Sequence, residues 1–420
     1  MPRSSPPALP TVPLQLANVA GSGVPRDYEA IGEHVLSYAA LNSEEGSGLE
    51  LIIETHRVVF VPLTVFACTA FLAAEYYENG RLVEAEHAPT EECYYRLVVQ
   101  GHLLCAAALS ANPLFGPSND VLVRMGAKQN EHILEDGEAW RLVTPLFLHA
   151  GLVHWALNMS ALLQLGLRLE EAHGALRVAG VYLVSGVFGV IMSAILAPHS
   201  MSVGASGAIL GLLGASLGEV IQNWGVYARP CTLLCQLGVA AVLQLLMGTT
   251  PLVDNFAHFF GFWMGLVAGM AALVSPAVAR PSWPMAAKCQ RQLLQVVSGS
   301  LTYLLFIAGL LALYGGWDAY RICHWCSKIS CLPFPWGCSP SVSNSCWWDC
   351  SLCTRARLAA QVAWVGSERN GTVELRCPTL SGGSTGGFEN VTVWPLNVAG
   401  LGNQALVSLC KDHCTDAYAD

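Results

Sequence analysis

Charge is what this sequence has least of. Only 12% of its 420 residues are Asp, Glu, Lys or Arg, about half the share found in soluble globular proteins. A chain so poor in charge cannot cover itself with a hydrated surface, and an ordinary water-soluble fold is excluded. The few basic residues form no stripe, and the formal net charge is −9, so nothing here tracks a nucleic-acid backbone. The first 25 residues are rich in Pro, Ser and Gly and hold no apolar core of a signal peptide. The first span is therefore expected to act as its own insertion signal. Apolar residues are abundant instead, at 53% with a mean hydropathy of +0.45.

Those residues are clumped into runs long enough for a hydrocarbon core of about 30 Å, which takes about 20 helical residues. Residues 1–56 are polar, with Glu44, Glu45, Glu50 and Glu54, and are expected to form a mostly disordered cytosolic leader. A first span is predicted over 58–74. A long outer loop, 75–144, follows, and its apolar patch around 101–111 is too short to cross. Five further spans are predicted over 145–167, 178–197, 204–221, 232–247 and 256–274. A basic loop with Arg280, Lys288 and Arg291 leads to a seventh over 296–314. The expected fold class is all-α: a polytopic membrane bundle of six core helices within 57–275, one more span within 276–316, and a small Cys-rich tail, 317–420.

With the N-terminus in the cytosol, the inner loops hold Arg168, Arg177, Arg229, Arg280, Lys288 and Arg291, whereas the short outer loops, 198–203 and 248–255, hold no basic residue. This is the positive-inside bias, and seven spans then place the tail outside. The tail agrees with that placement. Between Cys323 and Cys414 it carries ten of the sixteen cysteines, as a small domain in an oxidising compartment does. Asn370-Gly-Thr and Asn390-Val-Thr are glycosylation acceptors. The competing reading is zinc, from the pairs Cys323/Cys326 and Cys350/Cys353; the topology and both acceptors favour disulfides. Cys93 and Cys105 could form another pair.

The chemistry is concentrated in SVGASGAILGLLGASLG, residues 202–218. Gly207, Gly211, Gly214 and Gly218 line one helical face and invite close approach by a neighbour, as small-residue stripes do in membranes. Ser206 stands at the start of that stripe. Alone it could simply bond a carbonyl one turn back. A second stripe, Gly261, Gly265 and Gly269, follows Asp254-Asn255-Phe256-Ala257-His258. His258 could merely satisfy a carbonyl, but ionisable groups within spans are functional candidates. Two such helices can bring Ser206 within reach of the imidazole, the activation a serine nucleophile needs. In HAGLVHWALNM, His154 and Asn158 are four apart on one face. They could donate to a developing oxyanion together with the Ser206 N–H. His149, five before His154, is expected to point elsewhere and be structural. Asp254 reads as a helix-start residue.

Trp140-Arg141, His154-x3-Asn158, Gly204-Ala205-Ser206-Gly207 and Ala257-His258-x2-Gly261 together resemble the rhomboid intramembrane serine proteases in order and spacing, from about Asn112 to Val274. The six-plus-one layout with a Cys-rich tail is similar to the eukaryotic secretory-pathway branch, and NPLFGPSNDVLVRMGA to its plant and algal members. The resemblance implies that Ser206 is the nucleophile and His258 the general base. It implies an oxyanion hole of His154, Asn158 and the Ser206 amide, and an outer loop braced by Arg141. It implies no cofactor and no metal, single-span membrane proteins as substrates, and a Golgi or plasma-membrane location. A catalytically silent relative that binds client helices is the rival reading. A transporter would want polar groups through both halves of the membrane, and here they cluster at one end.

Overall fold

Polar groups that the linear pattern leaves scattered are satisfied between elements distant in sequence, and this sets where each helix begins and ends. The computed structural model describes residues 56–85, 93–109, 112–198, 200–222, 224, 229–248, 253–273, 285–317 and 323, together with the backbone of three strands between 361 and 397. The leader and most of the tail cysteines therefore lie outside the described residues. Helix α1 spans Phe60–Ala85; strands β1, Cys93–Val99, and β2, His102–Ala107, follow. Short helices α2, Asn119–Met125, and α3, Asn130–Leu134, lead to α4, Leu152–His173, and α5, Ala175–Leu196. Then come α6, Ser206–Gln222, α7, Pro230–Met247, α8, Asn255–Ala272, and α9, Met285–Tyr314. In the tail, β3, Gln361–Ala363, β4, Asn370–Thr379, and β5, Gly387–Asn397, pair antiparallel in that order. Asn370 and Asn390 both lie in these strands.

The result is a helical membrane bundle. By length and composition, α1, α5, α7 and α9 supply four helices able to cross a membrane unaided. The three other long helices are α4, α6 and α8, which carry His154 and Asn158, Ser206, and His258. Polar residues lower the hydropathy of α4 and α8, whereas α6 is apolar but short, with 17 residues. Buried faces on α6 and α8 substitute protein for lipid.

Helix α1 runs eleven residues beyond the predicted end at Ala74. Its first N–H groups are capped from α4: Glu170 accepts from Val59 and Phe60 at 2.6 Å each and from Val61 at 2.8 Å, a carboxylate at the positive end of a helix. Farther along, Glu75 accepts from the His149 N–H at 2.9 Å, and Asn79 binds the Cys105 carbonyl and the Ser118 N–H, each at 3.0 Å. These bonds hold the extra turns. The apolar patch around 101–111 proves to be half of a hairpin. Gln100 and Gly101, at φ 50° and 84°, make the two-residue turn, and Cys93 and Cys105 are joined by a disulfide.

Helix α4 begins at Leu152, seven residues after the predicted 145. The chain leading to it makes two 3-10 turns, Ala139–Leu142 and Thr144–Leu146. Its backbone groups are then committed elsewhere: His149 N–H to Glu75, and Ala150 C=O to the Asn112 amide at 2.6 Å. At the centre, α6 and α8 run parallel with their glycine stripes in contact. A Cβ at Gly261 would meet the Gly207 backbone and one at Gly265 the Gly211 backbone, while one at Gly269 would lie 2.5 Å from the Ala215 Cα. Only glycine permits this approach. Cys323 packs on Phe256 at the start of α8 and is disulfide-bonded.

Candidate active site

Ser206 is the first residue of α6, and the chain turns into it through Gly204, whose φ is 129°. That backbone geometry favours glycine. The space requires it too: a Cβ there would sit 2.7 Å from the His154 ring. The Gly204 N–H donates to the Pro145 carbonyl at 2.8 Å, which ties the turn to the segment before α4. His258 lies in the first turn of α8, almost fully buried. Its Nε2 is 2.6 Å from the Ser206 Oγ. With the hydroxyl donating, Nε2 is bare and the ring proton sits on Nδ1. The two residues are 52 apart in sequence and meet because the glycine stripes let their helices touch.

Asp254 caps α8, accepting from the Ala257 N–H at 3.0 Å and from the Ser193 hydroxyl. Its carbonyl accepts from the His258 N–H at 3.1 Å. The carboxylate thus acts on the helix start, as its place in the sequence suggested, and its recorded bonds go to backbone and hydroxyl groups, not to the imidazole.

His154 lies against Gly204 beside the Ser206 hydroxyl. The Ala150 N–H donates to its Nδ1 at 3.3 Å, so the ring proton is on Nε2, on the side that faces Gly204. Asn158 follows one turn along the same face, buried, with an amide nitrogen that has no hydrogen-bond partner among the described residues. A buried donor left unbonded is costly. His149 is fully buried and its ring is 5.4 Å from that of His154, edge to face. It lies closer to the site than its five-residue offset predicts, because residue 149 precedes the helix and helical spacing does not govern it.

The segment before α4 is held by its own charges. Arg141, buried, donates to the Val123 and Ala127 carbonyls at 2.6 and 3.1 Å, pairs with Glu138 and stacks on the Trp140 ring at 4.7 Å. Trp140 in turn covers Gly126. Sequence reasoning missed Lys128, which is fully buried and donates to the Ala197 and Ser200 carbonyls, both at 2.7 Å, and to the Ser200 hydroxyl at 3.0 Å. Its backbone also pairs with Ser202 at 3.0 and 3.3 Å. Lys128 therefore clamps the loop that delivers Ser206. A lone lysine on an outer loop carries no pattern that would mark it. Asn112 and Glu75, which order the segment before α4, are equally silent in sequence.

Comparison with known proteins gives one family. Residues 136–275 match the sequence model described as the Rhomboid domain. RHOMBOID-like protein 2 of Arabidopsis thaliana is 35% identical over 325 residues, covering 74% of this chain and 99% of that protein. RHOMBOID-like protein 6, mitochondrial, of the same plant is 37% identical over 242 residues, 55% of this chain and 78% of its own. Inactive RHOMBOID-like protein 8, also from Arabidopsis thaliana, is 30% identical over 256 residues, 57% and 72% of the two chains.

Proposed function

This chain belongs to the rhomboid family and is of its plant type, and from that premise we propose that it is an intramembrane serine endopeptidase that cuts the transmembrane segments of single-span membrane proteins. The observation that carries the proposal is the 2.6 Å contact between Ser206 and His258 at the end of two touching helices. In this mechanism His258 Nε2 takes the hydroxyl proton as the Ser206 Oγ attacks the scissile carbonyl. The oxyanion is held by the Ser206 N–H, the His154 Nε2–H and the Asn158 amide. His258 then returns the proton to the leaving amine, and water resolves the acyl-enzyme.

A peptide bond inside a helix is shielded by its own turns, so the substrate must unwind locally. Small or helix-breaking residues near the cut are expected. Entry falls to α7, whose only buried residue is Ala241 and which is thus the least anchored helix of the bundle. We place the leader and the basic loop in the cytosol and the catalytic end and tail in the lumen or outside the cell. The Cys93–Cys105 bridge and the disulfide at Cys323, both at the catalytic end, support that placement.

The rival is a silent rhomboid that holds client helices; RHOMBOID-like protein 8 is named inactive. Co-expression with a single-span substrate separates the two. Cleavage should be lost in Ser206→Ala and in His258→Ala, with both variants still inserted and folded. Undiminished cleavage by Ser206→Ala sinks the protease reading.

A further inference from the structure

Four cysteines among the described residues are free, and they divide sharply by environment. Cys68 is buried in the bundle, its thiol 3.9 Å from the Leu146 carbonyl, and behaves as a small core residue. Cys231, Cys235 and Cys289 are exposed. Cys231 and Cys235 are one turn apart near the start of α7, just after Arg229.

Their position on α7 is particular. At 100° per residue, 231, 235, 239, 242 and 246 fall on one stripe. The last three are Val239, Val242 and Leu246, at 53%, 56% and 59% exposure. In a membrane protein such a stripe is wetted by acyl chains, and the two thiols form its lower end. They also sit at a definite depth. Helix α7 has 18 residues, so it rises about 27 Å. Its far end, Gly248, abuts Asn255 beside the catalytic site. Cys231 and Cys235 are therefore at the opposite face, within the first ~8 Å of the helix, where polar headgroups give way to hydrocarbon. No disulfide joins them, in contrast to the bridge at the catalytic end.

We propose that Cys231 and Cys235 are sites of reversible S-acylation by a long-chain fatty acid. The proposal rests on the orientation given above, which puts this end of α7 in the reducing cytosol, where thiols persist and acyl-coenzyme A is present. Juxtamembrane cysteines are the usual acceptors. In the reaction the cysteine thiolate attacks the thioester carbonyl of acyl-coenzyme A. The new sulfur–carbon bond replaces the coenzyme's own, and the coenzyme departs as a thiol bearing the proton that cysteine gave up. No oxidant or reductant enters. The attached chain then lies along Val239, Val242 and Leu246, in the leaflet where its thioester is formed. It adds apolar contact in proportion to its methylenes and tethers the inner end of a helix that has little else to hold it. The end near His258 is left free.

The test uses the full chain expressed in eukaryotic cells. Free thiols are blocked, thioesters are cleaved with neutral hydroxylamine, and the released cysteines are tagged and located by peptide mass spectrometry. The expected result is hydroxylamine-dependent tagging at Cys231 or Cys235, absent from Cys231→Ser/Cys235→Ser and unchanged in Ser206→Ala. Both cysteines recovered as unmodified thiols overturn the proposal. A membrane-impermeant maleimide applied after permeabilising only the plasma membrane distinguishes the causes. Unmodified thiols that it labels leave the orientation standing and reject acylation. Unmodified thiols that it reaches only when internal membranes are also opened reject the orientation, and the proposal with it.

Discussion

Replacing Gly261 by alanine places a methyl between the two helices that hold Ser206 and His258. The new Cβ would stand 3.0 Å from the Gly207 carbonyl carbon and 3.3 Å from its Cα, with the carbonyl oxygen closer still. Backbone cannot swing aside as a side chain can, so α6 and α8 must part by roughly half an ångström to one ångström. Gly207 adjoins Ser206, and Gly261 lies one turn past His258. The 2.6 Å contact then stretches beyond 3 Å, where a hydroxyl–imidazole bond is weak. Misplacement of about 1 Å costs on the order of 10²-fold in rate, and overpacking costs about 1–3 kcal/mol in stability. Purified protein in bicelles, assayed for cleavage of a fluorogenic transmembrane substrate and for thermal unfolding, should show both losses. The control is Gly180→Ala on α5, where an added Cβ meets nothing within 4 Å and both readings should stay at or above native. Native cleavage and an unshifted Tm for Gly261→Ala would refute the claim that bare backbone contact sets the spacing of Ser206 and His258.

Asn158→Ala should lower kcat by about 10²-fold with little change in KM, because the amide is called on when negative charge develops; an equal loss in substrate binding counts against that role. Glu170→Ala strips the carboxylate from three N–H groups at the start of α1, and unfolding in denaturant should report a loss of roughly 2–4 kcal/mol. Arg141→Lys keeps the charge but cannot serve two carbonyls, Glu138 and the Trp140 ring from one planar group. Limited proteolysis should therefore cut the segment 112–144 faster while the helices persist.

The candidate site was legible because its residues ride on helical periodicity. Ser206 with four glycines at spacings of four, three and four, and His154 with Asn158 one turn apart, fall on helical faces by spacing alone. What could not be read was whatever depends on a partner far along the chain. The extension of α1 past Ala74 depends on Glu75 meeting the His149 N–H and on Asn79 meeting Cys105. The late start of α4 depends on Asn112 taking the Ala150 carbonyl. The hairpin is a different case. Two apolar runs rich in Tyr, Val and Leu flank Gln100-Gly101, a strand–turn–strand signal that a hydropathy pattern scaled to membrane-spanning length does not separate from a short apolar patch.

Contact between two glycine-lined helices has one mechanical consequence. It resists compression strongly, since no side chain can yield, but a surface of bare backbone offers few knobs against sliding. Shear of α6 along α8 must then be opposed at the ends of the pair. At the C-terminal end of the pair the Gln222 amide holds the Met270 carbonyl at 2.7 Å. At the N-terminal end Asp254 is fastened to Ser193, and Lys128 grips the loop that runs into Ser206. The stripe sets how far apart Ser206 and His258 stand, and these pins set their height relative to each other. Loosening a pin would leave the helices as close as before while sliding hydroxyl and imidazole out of level.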